Sequence, residues 1–327
     1  MDAQEMTDSA FENRRSSLKL LAALGALAAI APLQLAWAQT QAKLFRVGWQ
    51  KGSNIALLRA RGNLDARLKK EGVSVRWIEF TAGPQMLEGL NVGSIDFACV
   101  GETPPIFAQA AGADLVYVAS EPPAPKAEKI LVQKNSPVQS FKELKGKRVA
   151  LNRGSNVHYL LLKVLEREDL AYKDIDVKYL PPADARAAFE SGSIDAWVIW
   201  DPFAQAAIEQ IGARVLVAGH DQVHNYNFYL STGAYAKSYP EILKWTIEEV
   251  DATNKWTVAH FDEAADILSP QIGLSREITR HALENYAYGV AYITDPVAQN
   301  QQNIADAFSS QKLIPRALEV KNVIWRP

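Results

Sequence analysis

Two turns of matching composition recur along the chain, Lys51-Gly52-Ser53-Asn54 and Arg153-Gly154-Ser155-Asn156. Each follows a short apolar run that reads as a strand, Phe45-Arg46-Val47-Gly48-Trp49 in one case and Arg148-Val149-Ala150-Leu151 in the other. A helix that starts at such a turn presents unpaired amide N–H groups and about half a positive charge. The chemistry on offer is the binding of a small oxyanion. A helix dipole contributes roughly 0.3 to 2 kcal/mol, whereas a micromolar complex needs about 8 kcal/mol. Hydrogen bonds to a charged ligand, at about 1.5 to 3 kcal/mol each, must supply the rest, with Ser53, Thr103, Ser155, Asn156 and nearby backbone amides as candidate donors. A permanently charged tetrahedral oxyanion with an apolar tail suits them, and Trp200 and Trp49 are candidates to flank the tail. Serine and asparagine in an isolated turn of this kind commonly act only as caps; the duplication is what argues for ligand contact.

The duplication extends further. Gly93-Ser94-Ile95-Asp96 and Phe107-Ala108-Gln109-Ala110-Ala111 follow the first turn, and Gly192-Ser193-Ile194-Asp195 and Phe203-Ala204-Gln205-Ala206-Ala207 follow the second. Three matching blocks in one order imply two similar halves facing a cleft. Each half reads as β-α-β-α-β, with second strands at Val73 to Phe80 and Asp176 to Leu180 and third strands at Phe97 to Val100 and Ala196 to Trp200. That order favours parallel strands with right-handed crossovers. Val157, Leu160, Leu161, Val164 and Leu165 form one helical stripe after the second turn. Both third strands run into helix-start chemistry, Thr103 before Pro104 and Asp201 before Pro202. Ligands in open α/β sheets collect at these carboxyl ends. Thr103 and Asp201 read as caps first, because a carboxylate aimed at an anion repels it. Glu102 is either solvated or faces an amine, hydroxyl or arginine across the cleft. Trp197 and Trp200, three apart on one strand, point to opposite faces, so one belongs to the core.

Glu121-Pro122-Pro123-Ala124-Pro125 is a stiff connection, and a return crossing is expected near Phe228 to Ala234. Residues 39–124 plus 232–327 then form lobe one and 125–231 lobe two, joined at a hinge. Leu243, Ile247 and Val250 mark an amphipathic helix in the C-terminal segment, which is expected to pack on lobe one.

Residues 1–38 read as an export signal: Arg14-Arg15, the apolar run Leu20 to Ile30, and the small-x-small site Ala36-Trp37-Ala38, with cleavage after Ala38. The paired arginines suit the twin-arginine route, although Ser17 departs from that pattern. The apolar run falls short of the roughly 20 residues that span a bilayer. Beyond it, 32 basic residues stand against 33 acidic ones, so no nucleic-acid partner is implied. Cys99, the sole cysteine, excludes an intrachain disulfide and reads as a buried thiol in the apolar strand Phe97-Ala98-Cys99-Val100. The histidines are dispersed, and His220 and His224 lack a further ligand nearby, so no metal site, cofactor or catalytic group is expected. His158 is expected outside the cleft. A phosphate-binding P-loop and a dinucleotide fingerprint are absent from the sequence.

Longer stretches carry a family resemblance. Trp49-Gln50-Lys51-Gly52-Ser53, the run from Ala82 to Asp96, the run from Pro104 to Val118, and Pro182-Ala183-Asp184-Ala185-Arg186-Ala187-Ala188-Phe189 resemble the aliphatic sulfonate-binding proteins of bacterial ABC importers, and the likeness covers Leu44 to Pro327. It implies a type II periplasmic binding protein fold, two lobes around a central ligand cleft, in a soluble periplasmic monomer that delivers alkanesulfonates to a permease and its ATPase as a sulfur source. The family's ligand-facing loops correspond to Gln50, Gly52 and Ser53, to Gly101, Glu102 and Thr103, to Gly154, Ser155 and Asn156, and to Trp200 and Asp201. Glu102 replaces an expected aspartate and Asn156 an expected serine, which bears on ligand choice. Taurine, nitrate or a precursor molecule are alternative ligands on this fold, and a sulfinate desulfinase with a cysteine nucleophile is the alternative among enzymes.

Overall fold

A computed structural model describes residues 43–327, so the export signal and its cleavage site lie outside the described residues. Strand β1 (Lys43–Trp49) leads through the first turn into helices α1 (Ile55–Arg61) and α2 (Asn63–Lys70). Then come β2 (Val73–Glu79), α3 (Gly83–Asn91), β3 (Phe97–Gly101), α4 (Pro104–Ala110) and β4 (Val116–Ser120). After a link the chain builds β5 (Glu128–Val132), β6 (Arg148–Leu151), α5 (Asn156–Arg167), β7 (Asp176–Tyr179), α6 (Pro182–Glu190), β8 (Ala196–Trp200), α7 (Phe203–Ile211) and β9 (Arg214–Ala218). It returns as β10 (Asn227–Ser231) and ends with α8 (Gly233–Ser238), α9 (Pro240–Ala259), α10 (Phe261–Ile272), α11 (Arg276–Glu284), β11 (Ala291–Tyr292) and α12 (Asp295–Ser310).

The strands form two sheets, ordered β11-β4-β10-β3-β1-β2 and β7-β6-β8-β5-β9. The core of each repeats the other, β2-β1-β3-β10-β4 matching β7-β6-β8-β5-β9. Pairing of β1 with β3, and of β6 with β7 and β8, is parallel, as the β-α-β reading requires. At one position in each sheet an antiparallel strand joins this parallel set. Strand β10 runs antiparallel between β3 and β4, and β5 runs antiparallel between β8 and β9. Both follow a crossing between the sheets, so they enter from the opposite end.

Alternation along β3 places Phe97 and Cys99 on one face and Ala98 and Val100 on the other. The first pair joins a core containing Phe45, Val47, Leu243, Ile247 and Val250; the second joins a core containing Leu90, Phe228 and Phe308. The C-terminal helix α9 therefore packs against the first sheet. The predicted stripe on α5 is buried whole in the core of the second sheet, beside Trp197.

The Gly-Ser-Ile-Asp blocks have a structural task that the duplication did not by itself disclose. The Asp96 carboxylate accepts from the Arg46 amide at 2.8 Å and from its Nε at 2.9 Å. Asp195 accepts from the Arg148 amide at 2.8 Å and from its Nε at 3.0 Å. The aspartate that opens the third strand thus grips the first strand at an equivalent place in both sheets.

The two crossing segments are bonded to each other. The amide of Ala124 donates to the Asn225 carbonyl at 3.1 Å, that of Glu121 to the Asn227 carbonyl at 2.9 Å, and Asn225 Nδ2 to the Ala124 carbonyl at 2.8 Å. Asn225 adopts a left-handed φ of 54°, which asparagine tolerates better than most residues.

Candidate functional site

The carboxyl ends of β3 and β8 and the turns after β1 and β6 enclose a small polar cavity of about 20 Å³. Of the residues expected at the site, Gln50, Gly52, Ser53, Gly101, Ser155, Asn156 and Trp200 line it together. The two repeated turns have the same internal bond. Ser53 Oγ donates to the Gln50 carbonyl at 3.0 Å, and Ser155 Oγ donates to the Asn152 carbonyl at 2.7 Å. Both hydroxyl protons are therefore committed to the turns, which leaves an anion the amides at the very start of the following helices, ahead of Ala56 and His158, whose own N–H groups donate to the Ser53 and Ser155 carbonyls at 3.0 and 2.9 Å.

Close approach explains two of the glycines. A Cβ on Gly52 would lie 2.4 Å from the Asp201 carbonyl oxygen, and one on Gly101 would lie 2.9 Å from Asn156 Cβ. Loops from the two sheets touch at these points with no room for a side chain. Gly154 has a different reason: its φ of 71° is in the left-handed region, and its N–H donates to His158 Nδ1 at 3.2 Å. That amide is not free for a ligand, and Gly154 faces a wider groove beside the cavity.

Three further residues of the sequence-based site stand behind the wall. Glu102 is fully buried, its Oε2 accepting from the Tyr226 amide at 3.0 Å, and burial pushes its carboxyl up to about 7. Thr103 precedes α4 without a side-chain capping bond, so it is buried next to the site but does not perform the capping expected of it. Asp201 pairs with Lys129 at 2.8 Å and also accepts from Asn285 Nδ2 at 2.7 Å and from the Gln205 amide at 2.9 Å. The last of these bonds is cap-like, although Pro202 rather than Asp201 occupies the N-cap position of α7.

Asn156 Nδ2 donates to Glu128 Oε1 and to Asn225 Oδ1, the latter at 3.0 Å. Burial drives the Glu128 carboxyl well up, and the charge of Glu102 adds to the effect. Trp200 borders the cavity but is also buried in the core that holds Trp197, so the two faces of β8 are not divided cleanly between core and cleft. Trp49 does not flank the cavity: it packs in the core of the first sheet under the Arg59 guanidinium, 4.4 Å from its ring centroid. Cys99 lines the cavity wall from β3, and burial raises its thiol far above the usual range.

Sequence reasoning missed Asn225, Asn227 and Tyr286, which also line the cavity. Tyr286 follows α11, packs on the side of the first sheet and reaches across. Its hydroxyl lies 2.8 Å from the Gly52 carbonyl and 2.5 Å from the Asp201 carbonyl. These residues belong to no repeated block, so no signal in the duplication could have found them.

This geometry can be set beside known proteins. The family model described as NMT1/THI5 like matches residues 68–265. A protein of Escherichia coli (strain K12) named for aliphatic sulfonate binding is 41% identical over 315 residues, covering 96% of this chain and 97% of its own. The chain belongs to the aliphatic sulfonate-binding protein family. Solved members show the same architecture. The crystal structure of the periplasmic aliphatic sulphonate binding protein SsuA from Escherichia coli matches with a TM-score of 0.78 at 41% identity, over 86% of this chain and 97% of that one. The alkanesulfonate-binding protein SsuA from Xanthomonas axonopodis pv. citri, bound to MOPS, matches with a TM-score of 0.83 at 37% identity, over 88% and 100%. The fold is that of the periplasmic binding proteins, and these members of the family are binding proteins rather than enzymes. Among the described residues, no helix is long and apolar enough to cross a membrane.

Proposed function

We propose that this protein is the periplasmic substrate-binding component of an ABC importer for aliphatic sulfonates, capturing them as a sulfur source and passing them to a transmembrane permease driven by its ATPase. The observation that carries the reading is the meeting of the two repeated turns, one from each sheet, at one cavity beside Trp200. Two helix starts facing each other favour a compact anion, and a sulfonate keeps its charge at every physiological pH. Residues Gln50, Gly52, Ser53, Gly101, Ser155, Asn156 and Trp200 are the contacts we assign to it; Glu102, Thr103 and Asp201 support them from behind.

The lobes we assign, 39–124 with 232–327 and 125–231, move about the ribbon made by Glu121 to Ala124 and Asn225 to Asn227. Export through the signal ending at Ala38 delivers the chain to the compartment where the sulfonate-binding relatives work. Calorimetry with ethanesulfonate, butanesulfonate, taurine, nitrate and sulfate tests the assignment. Tightest binding is expected for an alkanesulfonate, and equal or tighter binding of nitrate refutes it.

A further inference from the structure

We infer that the groove beside the cavity is the seat of the ligand's organic tail, and that it suits ring-bearing sulfonates carrying a hydrogen-bond acceptor or second anionic group at the far end. The inference rests on the sulfonate reading and deepens it. The cavity of about 20 Å³ has room for little more than a compact polar group, since a single water already needs about 10 to 15 Å³. A carbon substituent on sulfur must leave it. The neighbouring groove, of about 460 Å³, shares Pro104 with the cavity and continues its walls from Gly83 to Pro84 and from Ser155 to Gly154. That volume falls in the range of about 300 to 1,000 Å³ of sites that take ring-sized organic ligands.

The two walls differ in chemistry. Leu87, Pro104 and Phe107 supply an apolar side, against which a ring can lie. Arg153 and Tyr179 supply a polar rim from the second sheet. The Arg153 guanidinium lies 5.5 Å from the Tyr179 ring centroid and forms no ion pair among the described residues. The Tyr179 hydroxyl is held in place by a chain of bonds. His158 Nδ1 accepts from the Gly154 amide, so the imidazole, which burial keeps neutral by lowering it to about 3, has its proton on Nε2. Nε2 donates to the Tyr172 oxygen at 2.9 Å, and the Tyr172 and Tyr179 hydroxyls are hydrogen-bonded to each other at 2.8 Å. The exposed Tyr179 phenol is thereby anchored at the rim. A cation and a phenol thus stand together at the outer end, with the exposed Glu88 on the opposite wall fixing which side an anionic substituent takes.

Calorimetry on the full chain with ethanesulfonate, naphthalene-2-sulfonate and 4-sulfobenzoate tests the assignment, using Ala108→Trp, Ala111→Trp and Arg153→Met. Both alanines line the groove outside the cavity, so two independent variants fill it. Filling the groove is expected to weaken naphthalene-2-sulfonate at least tenfold while ethanesulfonate stays within twofold. Arg153→Met is expected to weaken 4-sulfobenzoate at least fivefold more than naphthalene-2-sulfonate; a uniform loss would mean that Arg153 only attracts anions in general and would overturn the polar-end assignment. Parallel loss of short and bulky sulfonates, or retention of both, overturns the groove assignment. Failure of the unmodified protein to bind any of the three refutes the underlying sulfonate reading instead.

Discussion

Removal of the Tyr286 hydroxyl should weaken ligand binding without unfolding the protein. The phenol and Gly52 both belong to the side of the first sheet; its oxygen lies 2.8 Å from the Gly52 carbonyl and also 2.5 Å from that of Asp201, which follows β8 in the second sheet. Burial and the nearby Asp201 charge raise its pKa far above the usual range, so it remains a donor at any working pH. One proton is shared by two acceptors, and a neutral hydrogen bond contributes about 0.5 to 1.5 kcal/mol net. Only the bond to Asp201 crosses between the halves, and it stabilises their meeting by about 0.5 to 1.5 kcal/mol. That contribution exists only when the halves meet, so its loss lowers the fraction of binding-competent protein and raises the apparent Kd by the same factor. Tyr286→Phe is expected to weaken alkanesulfonate binding by more than twofold and up to about 13-fold, chiefly through faster release. Calorimetry gives the Kd and stopped-flow fluorescence the release rate. Tyr288→Phe is the control: its hydroxyl donates at 2.8 Å to the Leu283 carbonyl on its own side of the molecule, so affinity should hold. Affinity within twofold for Tyr286→Phe, or an equal loss in the control, refutes the reasoning.

Asp201→Asn leaves the nearly buried Lys129 ammonium without its carboxylate, and should cost about 3 to 5 kcal/mol in urea unfolding; a loss below about 1 kcal/mol would show that the pair is solvated in practice. Burial of Glu102 raises its carboxyl to about 7, so the folded protein holds a proton that the unfolded chain releases at lower pH. Stability should therefore fall as pH rises from the usual carboxylate range through about 7, and Glu102→Gln should flatten that slope when urea midpoints are compared at pH 5 and pH 8. Cys99, buried and with its thiol raised, should resist a thiol-specific disulfide reagent until the protein is unfolded. Cys99→Ala should keep sulfonate affinity, and turnover of a sulfinate by the unmodified protein that the variant lacks would restore the enzyme reading.

Much of this architecture was legible because the sequence repeats it. Strands Arg148–Leu151 and Ala196–Trp200 fall where the pattern puts them, and Val157, Leu160, Leu161, Val164 and Leu165 form the buried stripe that their spacing demands. The two small-polar turns were recognisable as helix starts for the same reason. Contacts between distant segments were not legible. Nothing in Glu102 announces that the Tyr226 amide will claim its carboxylate. Asp201 looked like a cap or a ligand residue because Lys129, its partner, is 72 positions away on another strand. The antiparallel strands escaped because period and composition carry no direction; only the path of the chain between the sheets sets it.

That path has a consequence for the order in which the molecule is assembled. All five strands of the second sheet come from one unbroken stretch, Glu128 to Ala218. The first sheet is different, since β10 must slide between β3 and β4 after everything else in both sheets except β11 has been synthesised. A chain emerging from the ribosome can finish its second half while its first half still holds two open strand edges, the kind of surface that pairs with the wrong partner. The half made first is the half completed last.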